Sequence, residues 1–355
     1  MCPPVNLEDV AKRAKVSTAT VSRVLNNVGR VRHSTTARVL RAVEELNYTP
    51  NLNARMLAGG ESHTLGMIVS NLENPFFLDI FRTLEADAHR RGYEVLVANT
   101  DYRPQHLVAS VRLMLGRRVS GLAVVVSEMK QSLIRELAES RLPVVFYDVG
   151  TVTENITNIK VDYRHGMQRI IEYLHGLGHR RMAFVGHHTT LDPLNDRRST
   201  FLELAADYAP RVKVVAVAGT DGPVGGQNAA REILGSGFRP TAIVCINDFM
   251  AIGVLRELKM QRIAVPADVS VTGFDDIRLA AFVSPALTTA HIPREEIGHR
   301  IGEMLLPGAR GRMERGREIL VDTSLIVRES TAPAAHAATG ARTAAAGRKG
   351  RRAIG

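Results

Sequence analysis

From Thr64 onward, short apolar runs alternate with amphipathic stretches, and this alternation limits what the body of the chain can fold into. The runs are "TLGMIVSN", "YEVLVANT", "GLAVVVS", "PVVFYDV", "NIKVDY", "RMAFVGH", "VKVVAVA", "TAIVCIND" and "VSVTGFD". Each is strand-sized, and strands separated by helices predict parallel sheets wrapped by helices. Nine runs spread over residues 64–330 predict two such sheets. Each sheet would bind ligand at the C-terminal ends of its strands. Two lobes facing each other make a cleft for a small molecule.

The residues before Thr64 have a different texture. Asn6 can cap a helix with Asp9 in its first turn. Leu7, Val10, Ala11 and Ala14 follow helical spacing. "KVS" turns the chain, and Ser17 caps a second helix whose inward stripe is Val21, Val24 and Leu25. Ser34 begins a third helix that packs through Val39, Val43 and Leu46. The expected fold class is therefore α/β, with a small all-helical head and two doubly wound parallel-sheet lobes.

Charge separates the ends from the body. Residues 1–62 hold nine Lys/Arg against five Asp/Glu, and residues 331–355 hold five Lys/Arg and no acid. Of the net +10, only +1 remains for the 268 residues between. An end, not the body, is thus suited to meet a polyanion. For the Ala-, Gly- and Arg-rich tail, a solvated basic segment without a partner is the simpler expectation.

The second helix shows how the head would do this. With Val21, Val24 and Leu25 inward, Thr18, Ala19, Ser22, Arg23 and Asn26 point outward. A preceding helix and a short turn make this a helix-turn-helix. The second helix of that motif enters the major groove. Arg23 suits guanine O6 and N7, Thr18 a base edge or phosphate, and Ala19 a thymine methyl. Ser17 and the first N–H groups of the helix suit a phosphate.

Beyond the head, Pro50 ends an extended piece, Asn51 can cap, and Gly59–Gly60 stop a helix of about eight residues. Isolated helices shorter than about 12 residues are marginal in water, so this one needs outside support.

"NLEDVAKRAKVSTATVSRVLNN" and "TTARVLRAVEELNYTPNLNARMLAGG" closely resemble the head of the lac repressor/galactose repressor family. The likeness continues through "TLGMIVSNLENPFF", "LHGLGHRRMAFVG", "RPTAIVCINDFMAIG" and "VPADVSVTGFDD", and covers about residues 5–330. It implies a homodimeric repressor on pseudo-palindromic operator DNA, with a periplasmic-binding-protein-like body. The implied layout is a head at 1–49, a hinge helix at 50–60, an effector-binding and dimerisation domain at 61–330, and a tail at 331–355. It further implies lobe crossings near 161–164, 290–293 and 318–325. By resemblance the hinge helix folds only on DNA, and Leu57 wedges between base pairs of the minor groove. Thr20, Tyr48, Asn51 and Ala54 complete the expected DNA-facing set.

Asn247 in "CIND" and Asp275 in "GFDD" end strands at the expected cleft, and both match effector-contacting positions of the family. An amide and a carboxylate suit sugar hydroxyls. The plain alternative is that each caps the next helix. Arg197 in "NDRRSTF" matches an effector-holding arginine, whereas Arg198 reads as a solvated charge. Asn71 and Asp148 are strand-end positions of the same kind. Phe76 could stack on a ligand ring, and Phe77 is assigned to packing. "GLAVVV" offers no polar side chain before Ser127. A sugar or sugar derivative is what the family implies.

Other function classes fare poorly. There is no GxGxxG, no GxxxxGK[ST] and no paired-histidine metal motif, so neither an enzyme nor a cofactor or metal is expected. His187 and His188 are adjacent, diverge as a chelate, and read as turn positions. Cys2 and Cys245 are too few for a disulfide framework, and Cys245 reads as a small buried hydrophobe. No apolar run approaches the roughly 18 residues of a membrane span. "MCPPVNLEDV" lacks a signal pattern, which makes a cytoplasmic location the expectation.

Overall fold

The computed structural model describes residues 5–25, 30–48, 62–127, 129, 131–187, 192–208, 211–217, 221–306 and 316–334. The expected hinge at 50–60, with Asn51, Ala54 and Leu57, lies outside these residues, as do Asn26 and Cys2. The chain divides into two compact units, Met1–Ser62 and His63–Gly355.

The first unit holds α1 (Leu7–Ala14), α2 (Thr18–Leu25) and α3 (His33–Glu45). Asn6 starts α1 with a capping box: its side chain accepts from the Glu8 and Asp9 amides, and its own amide donates to Asp9 Oδ2 at 3.0 Å. Lys15 ends α1 in the left-handed region, φ 54°, which turns the chain within three residues. Ser17 Oγ accepts from the Thr20 amide at 3.2 Å and caps α2. α3 starts at His33 rather than Ser34, and its cap position Arg32 makes no side-chain cap bond. Val10, Ala11, Ala14, Val21, Val24, Val39 and Ala42 form the small core, with Leu25, Val43 and Leu46 packed at its margin.

The second unit contains two six-stranded sheets. The first comprises β1 (Thr64–Val69), β2 (Glu94–Asn99), β3 (Gly121–Val125), β4 (Val144–Tyr147), β5 (Ile156–Val161) and β11 (Glu318–Val321), all parallel, in the order β11-β5-β4-β3-β1-β2. Around it run α4 (Pro75–Arg90), α5 (Pro104–Gly116), α6 (Gln131–Glu139) and α11 (Arg294–Leu305). β1 shows the two-residue period of a strand covered on both faces. Leu65, Met67 and Val69 join the core beneath Ile80 and Leu84 of α4, whereas Ile68 joins Leu107 and Met114 of α5 on the other face.

The second sheet comprises β6 (Arg181–His187), β7 (Arg211–Val217), β8 (Ala242–Cys245), β9 (Ser270–Asp275), β10 (Thr288–His291) and β12 (Ser324–Ile326), in the order β12-β10-β9-β8-β6-β7. Only β12 is antiparallel to its neighbour. Its helices are α7 (Tyr163–Gly176), α8 (Asp192–Tyr208), α9 (Pro223–Gly235) and α10 (Asp248–Met260). The chain passes between lobes after β5, after β10 and between β11 and β12.

Two expectations change. His187 is the last residue of β6, not a turn, and His188 lies outside the described residues. Residues 331–334 belong to the body: the Ala332 amide donates to Ser270 Oγ at 3.1 Å and the Ala334 amide to Leu177 O at 2.9 Å. The basic tail, expected from 331, falls outside the described residues from 335 on. Cys245 is fully buried, and burial pushes its thiol pKa up.

α9 and α10 approach without a side chain between them. A Cβ on Gly226 would lie 2.0 Å from Met250 O, and one on Gly253 would lie 1.9 Å from Pro223 O. Gly226→Ala should therefore cost about 2 kcal/mol by forcing these backbones apart. Gly235→Ala, in the same helix with nothing within 4 Å, should be neutral or stabilising. Denaturant midpoints of the two variants check this; equal midpoints would contradict the close packing.

Candidate functional site

Both sheets turn the C-terminal ends of their strands toward the crossings, and the polar residues gather there. Asp148 follows β4 with φ 59°, and Asp275 ends β9 with φ 102°. A non-glycine residue in this region is strained, and such strain concentrates at ligand sites. Asn74 precedes α4, Asn247 precedes α10, and Arg197 lies in the first turns of α8. These residues line one cavity between the lobes with Phe76, Phe77, Tyr102, Val126, Ser127, Tyr147 and Tyr163.

Arg197 and Asp275 form its buried centre, at 6% and 3% exposure. Arg197 Nη1 lies 3.5 Å from Asp275 Oδ1 and donates to Ile246 O at 3.0 Å. The guanidinium carbon sits 4.1 Å from the centre of the Tyr163 ring and 5.2 Å from that of Phe274, within cation–π range. Arg197 Nε is buried with no hydrogen-bond partner. Burial raises the Asp275 pKa to about 7; Arg197 and Arg294 act against it and Asp221 adds to it. The pair is thus incompletely satisfied, with hydrogen-bonding capacity left on both members.

Tyr147 of the first lobe and Tyr163 of the second share a hydroxyl–hydroxyl bond of 2.8 Å. Burial raises both phenol pKa values, so both stay neutral. Phe76 packs edge-on against Tyr147 with centroids 5.7 Å apart. At the second crossing Arg294 donates to Asp79 Oδ2 at 3.1 Å and also to Asp275 O. It thereby ties α4 to the end of β9.

The sequence-predicted cleft residues divide as follows. Phe76, Asp148, Arg197, Asn247 and Asp275 come together in the cavity. Asn71 does not line it; its Oδ1 accepts from the Glu73 amide at 2.9 Å and shapes the turn. Phe77, assigned to packing alone, packs in the core and lines the cavity as well. Arg198 is exposed, whereas Asp248, next to Asn247, is fully buried and accepts from Thr289 Oγ1 and the Ile277 amide. Asn247 both caps α10, through its Oδ1 to the Met250 amide, and turns its Nδ2 to Asp221 Oδ1 at 2.7 Å. The sequence reading missed Asn74, Tyr102, Tyr147, Tyr163 and Asp221. Asp221 lies four positions past the end of β7, whereas Asp148 and Asp275 lie at the ends of their strands.

The cavity encloses about 30 Å³. Sites for small organic ligands measure roughly 300–1,000 Å³. A ligand of that size therefore requires the lobes to part.

In the head, Ser17, Thr18, Ala19 and Arg23 are exposed side by side at the start of α2 and along one flank. Ser22 and Thr20 are half-buried, and the Thr20 hydroxyl pairs with Ser17 Oγ at 2.9 Å. Tyr48 packs at the margin of the head core.

Residues 6–51 match the lacI family of bacterial regulatory proteins, and residues 171–331 match a periplasmic binding protein-like domain. The HTH-type transcriptional repressor PurR of Erwinia tasmaniensis is 33% identical over 329 residues, covering 92% of this chain and 96% of that protein. The PurR of Proteus mirabilis is equally similar. Among solved structures, a lac repressor dimer bound to operator and the anti-inducer ONPF superimposes with a TM-score of 0.80 at 28% identity, covering 93% of this chain and all of that one. A lacI-family regulator of Enterococcus faecalis with bound ribose gives 0.68 at 26% identity, over 76% of this chain and 99% of that one.

The Asp275 pKa gives a pH test. The folded carboxyl holds its proton to about pH 7, whereas an unfolded one releases it near about 3.9. The folded state carries the extra proton between these values, so this group's stabilising contribution is complete at the acid end and is lost as pH rises to 7. The melting temperature of Asp275→Asn minus that of the native protein should therefore climb from pH 4 to 7 and level off above. A flat difference would refute the raised pKa.

Proposed function

The chain belongs to the lacI family of bacterial regulatory proteins, as a DNA-binding transcriptional repressor under effector control, and we propose that its effector is a sugar or sugar derivative held between the two lobes. The observation that carries this reading is the incompletely satisfied pair Arg197–Asp275, flanked by Asn247 and Asp148 at strand ends of opposite lobes. Vicinal hydroxyls both donate and accept. They can give to Asp275 and take from Arg197 Nε, which matches the capacity left on that pair. Phe76 supplies an apolar face for the carbon side of a ring. Support comes also from the ribose-bound relative and from a CelR–cellobiose complex that superimposes with a TM-score of 0.62 at 26% identity.

The head reads operator DNA through α2. Thr18, Ala19 and Arg23 meet base edges, and Ser17 meets the backbone. The chain works as a cytoplasmic homodimer on a pseudo-palindromic site, as the operator-bound lac repressor dimer suggests. Thr20, Ser22, Asn26, Tyr48, Asn51 and Ala54 extend the contact, and Leu57 supplies the minor-groove wedge. Parting or closing of the lobes sets the spacing from which the hinge segments emerge, and this couples effector to operator.

A planar nitrogen heterocycle is the second reading, favoured by the rings of Phe76, Phe77, Tyr147 and Tyr163 around the cavity. A thermal-shift panel of neutral sugars, sugar acids and nucleobases separates the two. A sugar should raise the melting temperature and alter operator affinity, and Asp275→Ala should abolish both effects while still binding operator. Stabilisation by a nucleobase alone would replace the sugar reading.

Arg23→Ala should weaken specific operator binding by about 1–3 kcal/mol with little change on unrelated DNA. Titrations at one fixed salt concentration measure this, and unchanged specific affinity would exclude α2 as the reading helix.

A further inference from the structure

Two asparagines, one from each lobe, do the same two things. Asn74 caps α4 with its Oδ1, accepting from the Phe76 amide at 3.1 Å, and donates its Nδ2 to Asp221 Oδ2 at 3.2 Å. Asn247 caps α10 with its Oδ1 and donates its Nδ2 to Asp221 Oδ1. Tyr102 of the first lobe adds a third donor to Asp221 Oδ2, at 2.7 Å. Asp221 itself directly precedes Gly222, which opens α9 with φ 124°. One half-buried carboxylate thus joins both lobes at the start of three helices.

We infer that Asp221 determines effector specificity: it makes the cleft select an uncharged or amine-bearing hydroxylated ring over a phosphorylated or carboxylated one. The inference rests on the effector reading above and narrows it.

Helix N-termini present N–H groups and positive dipole ends, and where several converge an anion is favoured. Here the chain's own carboxylate occupies that position. Its partners are three neutral donors, and among the described residues no Lys or Arg pairs with it. It is held by three side chains that line the cavity, and its field reaches Asp275. Arg197, the cationic lining residue among those described, is already turned to Asp275, Ile246 O and the Tyr163 ring. A carboxylate can only accept, with room for about four hydrogen bonds, and three are in use. What remains suits a hydroxyl or ammonium donor and repels a phosphate.

The test is calorimetric titration of the full chain with matched sets. Glucose, galactose and ribose stand against glucosamine and galactosamine, and against glucose 6-phosphate, galacturonate and ribose 5-phosphate; adenine and hypoxanthine complete the panel. At least one neutral or amino sugar should bind at least 10-fold more tightly than its anionic counterpart. Asp221→Asn should narrow that gap at least 3-fold while keeping native operator affinity, which shows that it folds. Should Asp221→Asn fail to fold, Tyr102→Phe keeps the carboxylate and removes one donor. It should weaken the neutral sugar and leave the neutral-to-anionic ratio in place; a collapse of that ratio would overturn the inference. An anionic sugar bound within 3-fold of its neutral form, or an unchanged ratio in folded Asp221→Asn, overturns the inference and leaves the effector reading intact. Binding of a purine base alone, or of nothing in the panel, overturns the sugar reading and the inference with it.

Discussion

The contact on which the effector site depends is a buried ion pair that is not quite closed. Arg197 and Asp275 meet at 3.5 Å, with one guanidinium nitrogen left without a partner. Taking two charges out of water costs several kcal/mol per ion, and only good geometry with further hydrogen bonds offsets it. Here the offset is partial, as the raised Asp275 pKa records. Such a pair adds little as a structural brace. It leaves hydrogen bonds open on Arg197, and the proposed effector reading rests on a ligand completing them.

The lobes were largely legible in the sequence. All nine apolar runs became strands, and β1, β3, β4, β8 and β9 are buried along almost their whole length, which is why they read as continuous apolar runs. The three strands that hydropathy did not single out are short or polar. β10 reads "TTAH", β11 "EILV" is partly exposed, and β12 is only three residues long. Their pairing is fixed by the crossings between lobes, which no local pattern encodes. The start of α3 was missed by one residue because Ser34 has the better cap chemistry, yet the helix begins at His33 without any side-chain cap.

The cleft was legible at strand ends and obscure elsewhere. Asp148, Asn247 and Asp275 were found by that rule, and Asn71 shows its limit, since a strand-end amide can as easily shape its own turn. Asp221 lies four positions past the end of β7, so the strand-end rule does not reach it. Tyr147 and Tyr163 were invisible for another reason. An aromatic residue within or beside a strand looks like core, and these two are core, except that their hydroxyls meet across the gap between lobes. Asn74 and Asn247 show that capping and facing the cleft are not alternatives, because an amide has two ends.

The glycine contact between α9 and α10 has a kinematic consequence. With backbone against backbone at Gly226 and Gly253, the two helices cannot slide or spread independently. Asp221 and Asn247, carried at their leading ends, are held together at a fixed separation. Under the proposed effector reading, exchanging either residue would change what the cleft prefers while the packing beneath it stays in place.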